Sequence, residues 1–381
     1  MKKRLSKTMG QGDRALRVLA AVCLVALLAL SDSHSTRAQS GRKPQQQPGQ
    51  QQPTEKPIAR IETKEVVVPL SAYDAEGNLV SDLEPKDVLV LEDGEPRPVS
   101  YIRHEPANIV LILDSSNEIG TFKNGETQRK PKEPVEVWKN PNYQLLPRTT
   151  SREFADNFLS KLSSADQVAI IQYADKVYPV QDWTHDAHEA SLALKEKYRV
   201  GIKASYYDAL KLAAAKLEQC LTGRRVIVLL SDGLDSNSKA SRRQAMTALE
   251  KARAAVFAVG WAEVVRSEIE FAASWMGAHE RSTSATADRL IELRRHLPKL
   301  EGGAVLLRQL AEASGGEIWL PETHDKLVAA NKDVASEIGA QYSMAFITET
   351  KPSLEPTRAI QVLAARRGLT VRSRRSYYVS D

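Results

Sequence analysis

Short apolar runs alternate with amphipathic segments between residues 105 and 341, and this alternation constrains the fold more than any other feature of the chain. Strands that are apolar on both faces suit a parallel sheet covered by helices on each side. The alternation therefore predicts a doubly wound, Rossmann-like α/β fold with a mostly parallel sheet. The apolar runs that we assign to its strands are Ile109–Leu113, Val168–Tyr173, Val226–Leu230 and Ala255–Val259.

The segments between these runs have the spacing of helices, and two long interruptions separate some of them. The polar stretch 121–150 and the stretch 263–302 are insertions, and loops of this length inside a compact domain are usually functional or disordered. Gly315 and Gly316 predict the end of a helix, and residues 317–320 follow as a fifth strand. The predicted helices are 152–162, 185–198, 206–221, 242–254 and 305–313, with 268–276 and 287–296 inside the second insertion.

The segments that flank this region are β-like. Residues 58–104 and residues 342–381 both show apolar residues at a two-residue period between turn signals. Three or four strands are too few for an independent domain, because they cannot bury their own apolar face. We expect the two segments to form one discontinuous β-sandwich, with the α/β domain of residues 105–341 inserted between its halves.

The first 57 residues indicate export. Residues 1–38 have a basic start, a thirteen-residue apolar run and small residues at a cleavage site after Ala38, which is typical of a signal peptide. The apolar run is short for a bilayer span, and the alternative is an uncleaved signal anchor. Residues 39–57 are rich in Gln and Pro and predict a disordered linker. We expect a secreted or periplasmic protein with no stable membrane span after signal cleavage.

The charge of the remaining chain argues against nucleic-acid binding. The whole sequence has a net charge of +5, but residues 1–38 hold seven Lys or Arg and two Asp. The rest then has 46 basic and 46 acidic residues, which leaves no excess of cations to displace counterions from phosphates. The rest also has a single cysteine, Cys220, whose helical spacing with Leu217 and Leu221 predicts a buried apolar residue rather than a reactive thiol.

Two acidic residues follow strands of the predicted sheet. Asp114 follows the first apolar run and precedes Ser116 and Glu118, and Asp232 follows the run that begins at Val226. Doubly wound sheets bind ligands at the carboxyl ends of their strands. Two carboxylates and a hydroxyl at that edge form an oxygen-rich cluster that suits a hard cation such as Mg²⁺.

The ordered set of these motifs resembles the von Willebrand factor type A domain. No single motif is specific, but their order along the chain is. Residues 83–94, 311–316 and 374–377 extend the resemblance to secreted bacterial proteins that carry a related form of the domain, so that it covers residues 66–377. The core segments that carry it are 108–116, 164–173, 207–210 and 225–233.

The resemblance implies a metal-ion-dependent adhesion site, in which a cation accepts a carboxylate from a partner protein. The family holds the cation with Asp-x-Ser-x-Ser, a Thr from another loop and a later Asp. Asp114, Ser116 and Asp232 match this pattern, whereas Glu118 replaces the second Ser and Ala204 replaces the Thr. Two of the five positions are therefore altered.

The altered positions leave three interpretations open. Ala204 offers no oxygen, unless Ser205 or water takes its place, and Glu118 adds a carboxylate. The first interpretation is a retained but altered site that holds Mg²⁺ or Mn²⁺ through Asp114, Ser116, Glu118 and Asp232. The second is a site capped by Glu118 itself, and the third is a protein with no metal that binds elsewhere.

The leading functional expectation is an exported, non-enzymatic protein-binding or adhesion module with a degenerate adhesion site. Its partner is a protein that the sequence does not identify. The alternative is a metal-independent scaffold or assembly factor of the cell envelope, which would use the β-sandwich or the insertion 121–150. A remote alternative is a haloacid dehalogenase-like phosphatase, which also starts from an Asp after the first strand, but Ser116 stands where its general acid would be.

Three further features are expected to be structural. His185 and His188 are interpreted as a solvated helix start rather than a metal site, and Trp261 as a packing residue. The three arginines of the last strands are interpreted as a solubilising sheet edge rather than an anion site; they are Arg372, Arg374 and Arg375.

Overall fold

The computed structural model describes residues 63–116, 151–267, 270, 274, 284–349 and 356–379. The predicted signal peptide (1–38), the linker (39–57), Glu118 and the insertion 121–150 lie outside these residues, and so does most of the predicted helix 268–276.

The centre of the protein is a six-stranded, mostly parallel sheet. Its strand order is β10-β9-β8-β5-β6-β7, and only the pairing of β7 with β6 is antiparallel. Strand β7 was not predicted, because Pro179 and alternating polar residues give it the pattern of an exposed edge rather than of a core strand. The strands are β5 (Ala107–Asp114), β6 (Gln167–Tyr173), β7 (Val177–Thr184), β8 (Arg224–Ser231), β9 (Ala255–Gly260) and β10 (Ile318–Trp319).

Helices cover both faces of this sheet, as strands that are apolar on both faces require. In β5, Ile109 and Leu111 point into one core with α1, α2 and α6, whereas Val110 and Ile112 point into a second core with α3 and α4. The fifth helix contributes to both cores. The helices are α1 (Ser151–Leu159), α2 (Ala187–Lys197), α3 (Tyr206–Glu218), α4 (Arg242–Ala252), α5 (Ser284–Ser314) and α6 (His324–Ala340).

Strands from the two ends of the described chain interleave in a β-sandwich. One sheet has the order β13-β1-β11-β4 and the other β14-β12-β2-β3, so that β1 lies between β11 and β13, and β2 pairs with β12. Both the α/β class and the sandwich of N- and C-terminal segments confirm the predicted fold class. The strands are β1 (Thr63–Tyr73), β2 (Val88–Glu92), β3 (Glu95–Arg97), β4 (Val99–Arg103), β11 (Tyr342–Glu349), β12 (Thr357–Ala364), β13 (Thr370–Ser373) and β14 (Ser376–Tyr378).

A buried carboxylate joins the two sheets of the sandwich. Glu92 of β2 accepts hydrogen bonds from the hydroxyl of Thr348 in β11, at 2.8 and 2.6 Å to its two oxygens, and from the hydroxyl of Tyr377. Arg97 and Arg358 supply the opposite charge at 2.7 and 3.2 Å. Burial would raise the pKa of Glu92, but these hydrogen bonds outweigh burial and hold the pKa below its usual value. Glu92 is therefore charged at neutral pH.

Two helix predictions are wrong in their extent, and one helix was missed. The sequence predicted separate helices at 287–296 and 305–313, but helix α5 is continuous through Pro298 and Gly303. Leu300 is buried in the core on one face of the sheet and Leu307 in the core on the other face, and this packing stabilises the continuous helix. The missed helix is α6, which buries Leu327, Val334 and Ile338 at helical spacing. Among the described residues, no helix is both long and apolar enough to cross a membrane.

The predicted helix 206–221 ends early, and this changes the environment of the cysteine. Helix α3 ends at Glu218, so Leu221 lies beyond it and is 93% exposed. Cys220 is half-buried rather than buried, and burial still raises the pKa of its thiol. The helical spacing that included Cys220 and Leu221 was therefore misleading.

Candidate functional site

Asp114 and Asp232 lie side by side at the carboxyl edge of the central sheet. Strands β5 and β8 are parallel neighbours, with Leu113 opposite Leu230, so both chains leave the sheet at the same level. The backbone N–H of Asp232 donates a hydrogen bond to the carboxylate of Asp114. The structure thus brings together Asp114, Ser116 and Asp232, as the parallel register predicts.

The Asp114 carboxylate is surrounded by hydrogen-bond donors. Its Oδ1 accepts the backbone N–H of Ser116 at 2.8 Å, and its Oδ2 accepts the Tyr173 hydroxyl at 2.8 Å. The Ser116 hydroxyl and the Asp232 N–H also donate to it. The Tyr173 oxygen is itself 2.6 Å from Ser231 Oγ. Four donors therefore share the two oxygens of one carboxylate.

Burial sets the electrostatics of this group. Asp114 is fully buried, and desolvation raises its pKa to about 6 although the hydrogen bonds from Ser116, Tyr173 and Asp232 act in the opposite direction. Burial and the nearby charges of Asp114 and Asp232 raise the pKa of Tyr173 well above its usual value. Tyr173 is therefore a neutral phenol that donates its proton to Asp114.

Ala204 and Ser205 lie in the loop that would supply the threonine of an adhesion site, and their polar groups bond to a neighbouring loop instead. The N–H of the buried Ala204 donates to Ser236 Oγ at 3.0 Å, and its carbonyl accepts the N–H groups of Ser236 and Asn237 at 2.9 Å. The Ser205 hydroxyl oxygen lies 3.4 Å from the side-chain amide of Asn237, which donates to it. Ala204 has no oxygen to offer, and the Ser205 oxygen accepts a hydrogen bond from the loop that follows Asp232.

Carboxylates fix the rim of the site to helix α3. Asp235 Oδ1 accepts the N–H of Tyr206 at 3.0 Å, and Asp208 accepts the N–H groups of Lys239 and Ala240 at 2.9 and 2.8 Å. Asp235 and Tyr173 were not predicted as site residues. The polar run that begins at Asp235, directly after a strand and its Ser-Asp-Gly, is a signal that would have found the former.

Helix α5 packs directly against the backbone of Asp232. A Cβ atom at Gly303 would lie 2.1 Å from the Asp232 carbonyl oxygen, and one at Gly233 would lie 2.5 Å from the Gly303 oxygen. Gly233 also has a φ of +77°, in the left-handed region that favours glycine. The two glycines let the helix and the loop approach closely, and this contact was not predicted.

The described residues do not fit a cation bound directly by Asp114. A carboxylate has about four acceptor positions, and four donors already share those of Asp114. Asp232 Oδ1 accepts the N–H of Leu234 at 2.9 Å. Within the described ranges, no group of three or more His, Cys, Asp or Glu residues is placed to hold a metal ion. Glu118, the third predicted carboxylate, lies outside these ranges.

The family comparison agrees with this geometry. Residues 108–288, from the first strand of the central sheet to the start of α5, match the model of the von Willebrand factor type A domain. A mostly parallel sheet with helices on both faces, and with Asp-x-Ser and Ser-Asp-Gly at the ends of two adjacent strands, is described over the same residues. Residues 108–288, slightly less than half of the chain, therefore match the von Willebrand factor type A domain.

Three solved structures illustrate how distant the structural likenesses are. Proximal thread matrix protein 1 from the mussel byssus is 16% identical, with a TM-score of 0.37, over 64% of this chain and 48% of its own. An aerotolerance-related membrane protein from Bacteroides fragilis is 15% identical (TM-score 0.37; 61% and 98% covered). A von Willebrand factor type A protein from Catenulispora acidiphila is 10% identical (TM-score 0.40; 84% and 74% covered). The chain spans about half the length of the mussel protein. Comparison with curated proteins gives no match.

Two of the weaker sequence candidates have structural roles. His188 follows the N-cap of α2, where Asp186 accepts the N–H groups of His188 and Glu189, and His185 is exposed beside it. Trp261 is buried in the core that contains Phe257, which confirms its interpretation as a packing residue.

The interpretation of the C-terminal arginines as a solvated sheet edge is wrong for two of them. Arg374 is buried, and Arg372 is largely buried and forms ion pairs with Glu317 and Glu337. The strands β13 and β14 pack against the α/β part of the molecule, which covers these side chains. Arg375 alone is exposed.

Proposed function

We propose that this protein is an exported, non-enzymatic protein-binding module, and that it contacts its partner through the loops over Asp114 and Asp232. The observation that carries this proposal is the convergence of Asp114, Ser116 and Asp232 at one edge of a von Willebrand factor type A domain. In doubly wound sheets that edge is where ligands bind. The adhesion site is degenerate in this proposal, because Ala204 replaces an oxygen ligand.

The partner contact does not depend on Mg²⁺ or Mn²⁺ in this proposal. For a cation to bind Asp114 directly, it would have to displace Tyr173 or Ser116 from the carboxylate. The ligand set that the sequence predicts is Asp114, Ser116, Glu118 and Asp232, and titration calorimetry with either metal tests whether it binds a cation. We expect no saturable heat; saturable heat that disappears in Asp232→Ala would establish a cation site and overturn this part of the proposal.

An exposed apolar pair beside the site supports a direct protein contact. Val200 and Ile202 are 43% and 42% exposed, although large apolar side chains are usually buried. Both residues lie in the loop that precedes α3. The carboxylate of Asp175 anchors this loop, because it accepts the N–H groups of Ile202 at 3.3 Å and Lys203 at 2.8 Å. The exposed Lys203 adds a positive charge. This surface fits a partner that offers apolar and acidic side chains.

A crosslinking pull-down from the native envelope fraction tests the proposal with matched variants. Ile202→Asp places a carboxylate on the proposed surface, and Leu192→Asp places one on α2, where the exposure is nearly the same (43% against 42%). We expect the wild type and Leu192→Asp to recover the same partner, with or without EDTA, and Ile202→Asp to lose it. Retention of the partner by Ile202→Asp would favour the scaffold, which binds through the sandwich or the insertion 121–150.

The non-enzymatic assignment and the export are tested separately. Ser116 stands where a haloacid dehalogenase-like phosphatase needs a second Asp, so we expect no turnover of a chromogenic phosphate ester with Mg²⁺. Sequencing of the mature N-terminus is expected to give Gln39, as cleavage after Ala38 requires. A mature protein that begins at Met1 would instead establish an anchored form.

A further inference from the structure

A cavity of about 160 Å³ lies between helices α3, α4 and α5. Its walls are largely apolar, with Met246 of α4 and Leu310 of α5 among them. Arg242 and Gln309 also line the cavity, and both are exposed, so the cavity reaches the protein surface beside them. Helix α4 begins at Arg242, after the loop that starts at Asp232, so this opening lies toward the carboxyl edge of the central sheet. The opening is therefore at the same edge of the sheet as the proposed partner contact.

Tyr206 joins this cavity to the candidate site. Tyr206 lines the cavity, and the centroid of its ring lies 5.9 Å from that of Tyr173, the residue that donates to Asp114. Asp235, in the loop after Asp232, accepts the backbone N–H of Tyr206 at 3.0 Å. The wall of the cavity on this side is therefore held by the same residues that form the site and its rim.

Two arginines lie at the opening of the cavity. Arg242 and Arg243 are in the first turn of α4, which contains no acidic residue, and both are exposed. Cations in the first turn of a helix oppose the helix dipole, so these two side chains do not stabilise the helix. Arg242 Nη2 donates to the neutral Gln309 Oε1 at 3.3 Å, and neither arginine forms an ion pair with a described residue. Their positive charge is therefore available to acidic groups of a partner.

The other charges near the cavity do not cancel this one. Lys299 is exposed and lies two turns before Leu306, on the face of α5 that lines the cavity, so it extends the positive charge along that helix. Glu250 also lines the cavity, but Glu250 and Arg374 attract each other, and this pair of charges is compensated within the protein. The surface around the opening is therefore positive, which fits an acidic partner.

We infer that the protein partner inserts one apolar side chain of about the size of phenylalanine into this cavity, and that acidic residues beside it contact Arg242 and Arg243. This inference rests on the proposed function, because the opening lies at the edge through which that contact is made. A cavity of about 150 Å³ holds one benzene ring, and apolar walls select such a group. Binding energy at protein interfaces is concentrated in a few anchors that fill pockets. The partner segment is therefore acidic, with a phenylalanine or a leucine at its centre.

Peptide titrations on the purified protein test the chemistry of the cavity. The probe is acetyl-Glu-Glu-Phe-Glu-Glu-amide, followed by ligand-observed NMR and titration calorimetry at low salt. One control peptide replaces Phe with Ala, and the other replaces every Glu with Lys. We expect saturable binding of the probe and at least about tenfold weaker binding of each control, since the first loses a buried ring and the second reverses the charge. No saturable binding of the probe up to about 10 mM, or equal binding of the probe and either control, would overturn the inference.

Variants that fill the cavity test whether the probe enters it. Met246→Trp and Leu306→Trp each add volume to a side chain that lines the cavity, while both arginines are retained. Each should abolish binding of the probe, and the second keeps the test decisive if the first does not fold. Unchanged affinity for the probe in either folded variant would overturn the inference.

Charge-reversal variants test the two arginines with a matched control. The double variant Arg242→Glu, Arg243→Glu should weaken the probe at least about tenfold, and it is expected to fold because acidic residues suit the first turn of a helix. The control Lys326→Glu, Lys332→Glu makes the same change of charge on α6, which packs on the other face of the sheet, and should leave the affinity unchanged. Equal effects of the two double variants would overturn the role of the arginines.

The crosslinking pull-down distinguishes a failure of this inference from a failure of the proposed function. We expect Met246→Trp and the double arginine variant to lose the same partner that Ile202→Asp loses, and the double lysine variant to recover it. Loss in Ile202→Asp with full recovery in Met246→Trp would leave the proposed function in place and overturn the cavity as part of the contact. Full recovery in every variant, Ile202→Asp included, would overturn the proposed function and this inference with it.

Discussion

The Tyr173 hydroxyl donates a hydrogen bond to Asp114 Oδ2 at 2.8 Å. Tyr173 ends β6, the strand next to β5 in the sheet, so its phenol reaches Asp114 from within the core. The same oxygen lies 2.6 Å from Ser231 Oγ. A protein donor thus occupies an acceptor position that a metal ligand would need to keep free.

Removal of this donor is expected to weaken the fold and to favour cations. Tyr173→Phe leaves Asp114 and Ser231 each without one buried partner, which should lower the free energy of unfolding by about 1–3 kcal/mol. It also frees one acceptor position on Asp114, so Mg²⁺ or Mn²⁺ affinity should increase. Urea unfolding and titration calorimetry measure the two effects. Tyr178→Phe, on the edge strand β7, is the control; equal behaviour of the two variants would contradict the assignment.

The buried Glu92 predicts a specific response to acid. Its pKa is held below its usual value of 4.5, so the stability that it contributes is present above about pH 4.5 and is lost as the pH falls through the lowered pKa. At pH 7, Glu92→Gln leaves Arg358 and Arg97 without their counterion and should cost about 3–5 kcal/mol. Urea unfolding between pH 7 and pH 3, set against exposed Glu95→Gln, measures both effects.

The stability of Glu92→Gln as a function of pH tests whether Glu92 is the group that titrates. Because glutamine does not titrate, the stability of Glu92→Gln should fall less steeply below pH 4.5 than that of the wild type and of Glu95→Gln. Parallel pH profiles for all three proteins would show that Glu92 is not the titrating group.

Arg372 connects β13 of the sandwich to the α/β part of the molecule through Glu317 and Glu337. Burial raises the pKa of Glu337, against hydrogen bonds from Tyr73 and Ser71, so its charged form is costly in the folded state. Arg372→Met removes the nearest cation, and we expect a loss of about 3 kcal/mol at pH 7.5.

The pH dependence of this loss has a definite sign. A raised folded-state pKa contributes stability that is present below the unfolded value of about 4.5 and is lost as the pH rises through the folded value. Arg372→Met should therefore be closer to the wild type at pH 5 than at pH 7.5. Exposed Arg375→Met should stay within about 0.5 kcal/mol of the wild type at both values. A loss that does not change with pH would remove Glu337 from the explanation.

The sequence predicts the positions of Asp114 and Asp232 because two simple rules place them. Continuous apolar runs identify the strands, and parallel strands of equal length end at the same edge. No comparable rule predicts the role of Tyr173. An aromatic residue at the end of an apolar run indicates a core residue, and the hydrogen bond from Tyr173 to Asp114 depends on β5 being the strand next to β6. The donors that share the Asp114 carboxylate were therefore not predictable from spacing.

The same limit explains the C-terminal arginines. Arg372 lies in the short strand β13 and Arg374 directly follows that strand. The alternation of arginine with serine in this segment indicates a solvated edge when the segment is considered alone. Helices α4 and α6, far away in the sequence, cover that edge and bury both side chains. Local pattern determines which residues form a strand, but the covering of its edge is a tertiary property.

The contact between α5 and Asp232 predicts opposite effects for two neighbouring glycines. A Cβ atom at Gly303 would lie 2.1 Å from the Asp232 carbonyl oxygen, whereas one at Gly302 would have nothing within 4 Å. Gly302→Ala should therefore stabilise the protein by about 0.5–1 kcal/mol, because alanine is the better helix former. Gly303→Ala gains the same propensity but must move the helix or the loop, and we expect a net loss of about 1–3 kcal/mol.

The two variants also test whether the position of Asp232 matters for binding. Gly303→Ala should displace Asp232 and weaken partner recovery, and Gly302→Ala should leave recovery unchanged because its methyl group meets no neighbour. Urea unfolding and the crosslinking pull-down are measured on the same two proteins. Equal stabilities would contradict the close packing of α5 on the site, and a destabilised Gly303→Ala that still recovers the partner fully would show that the contact does not require Asp232 in its present position.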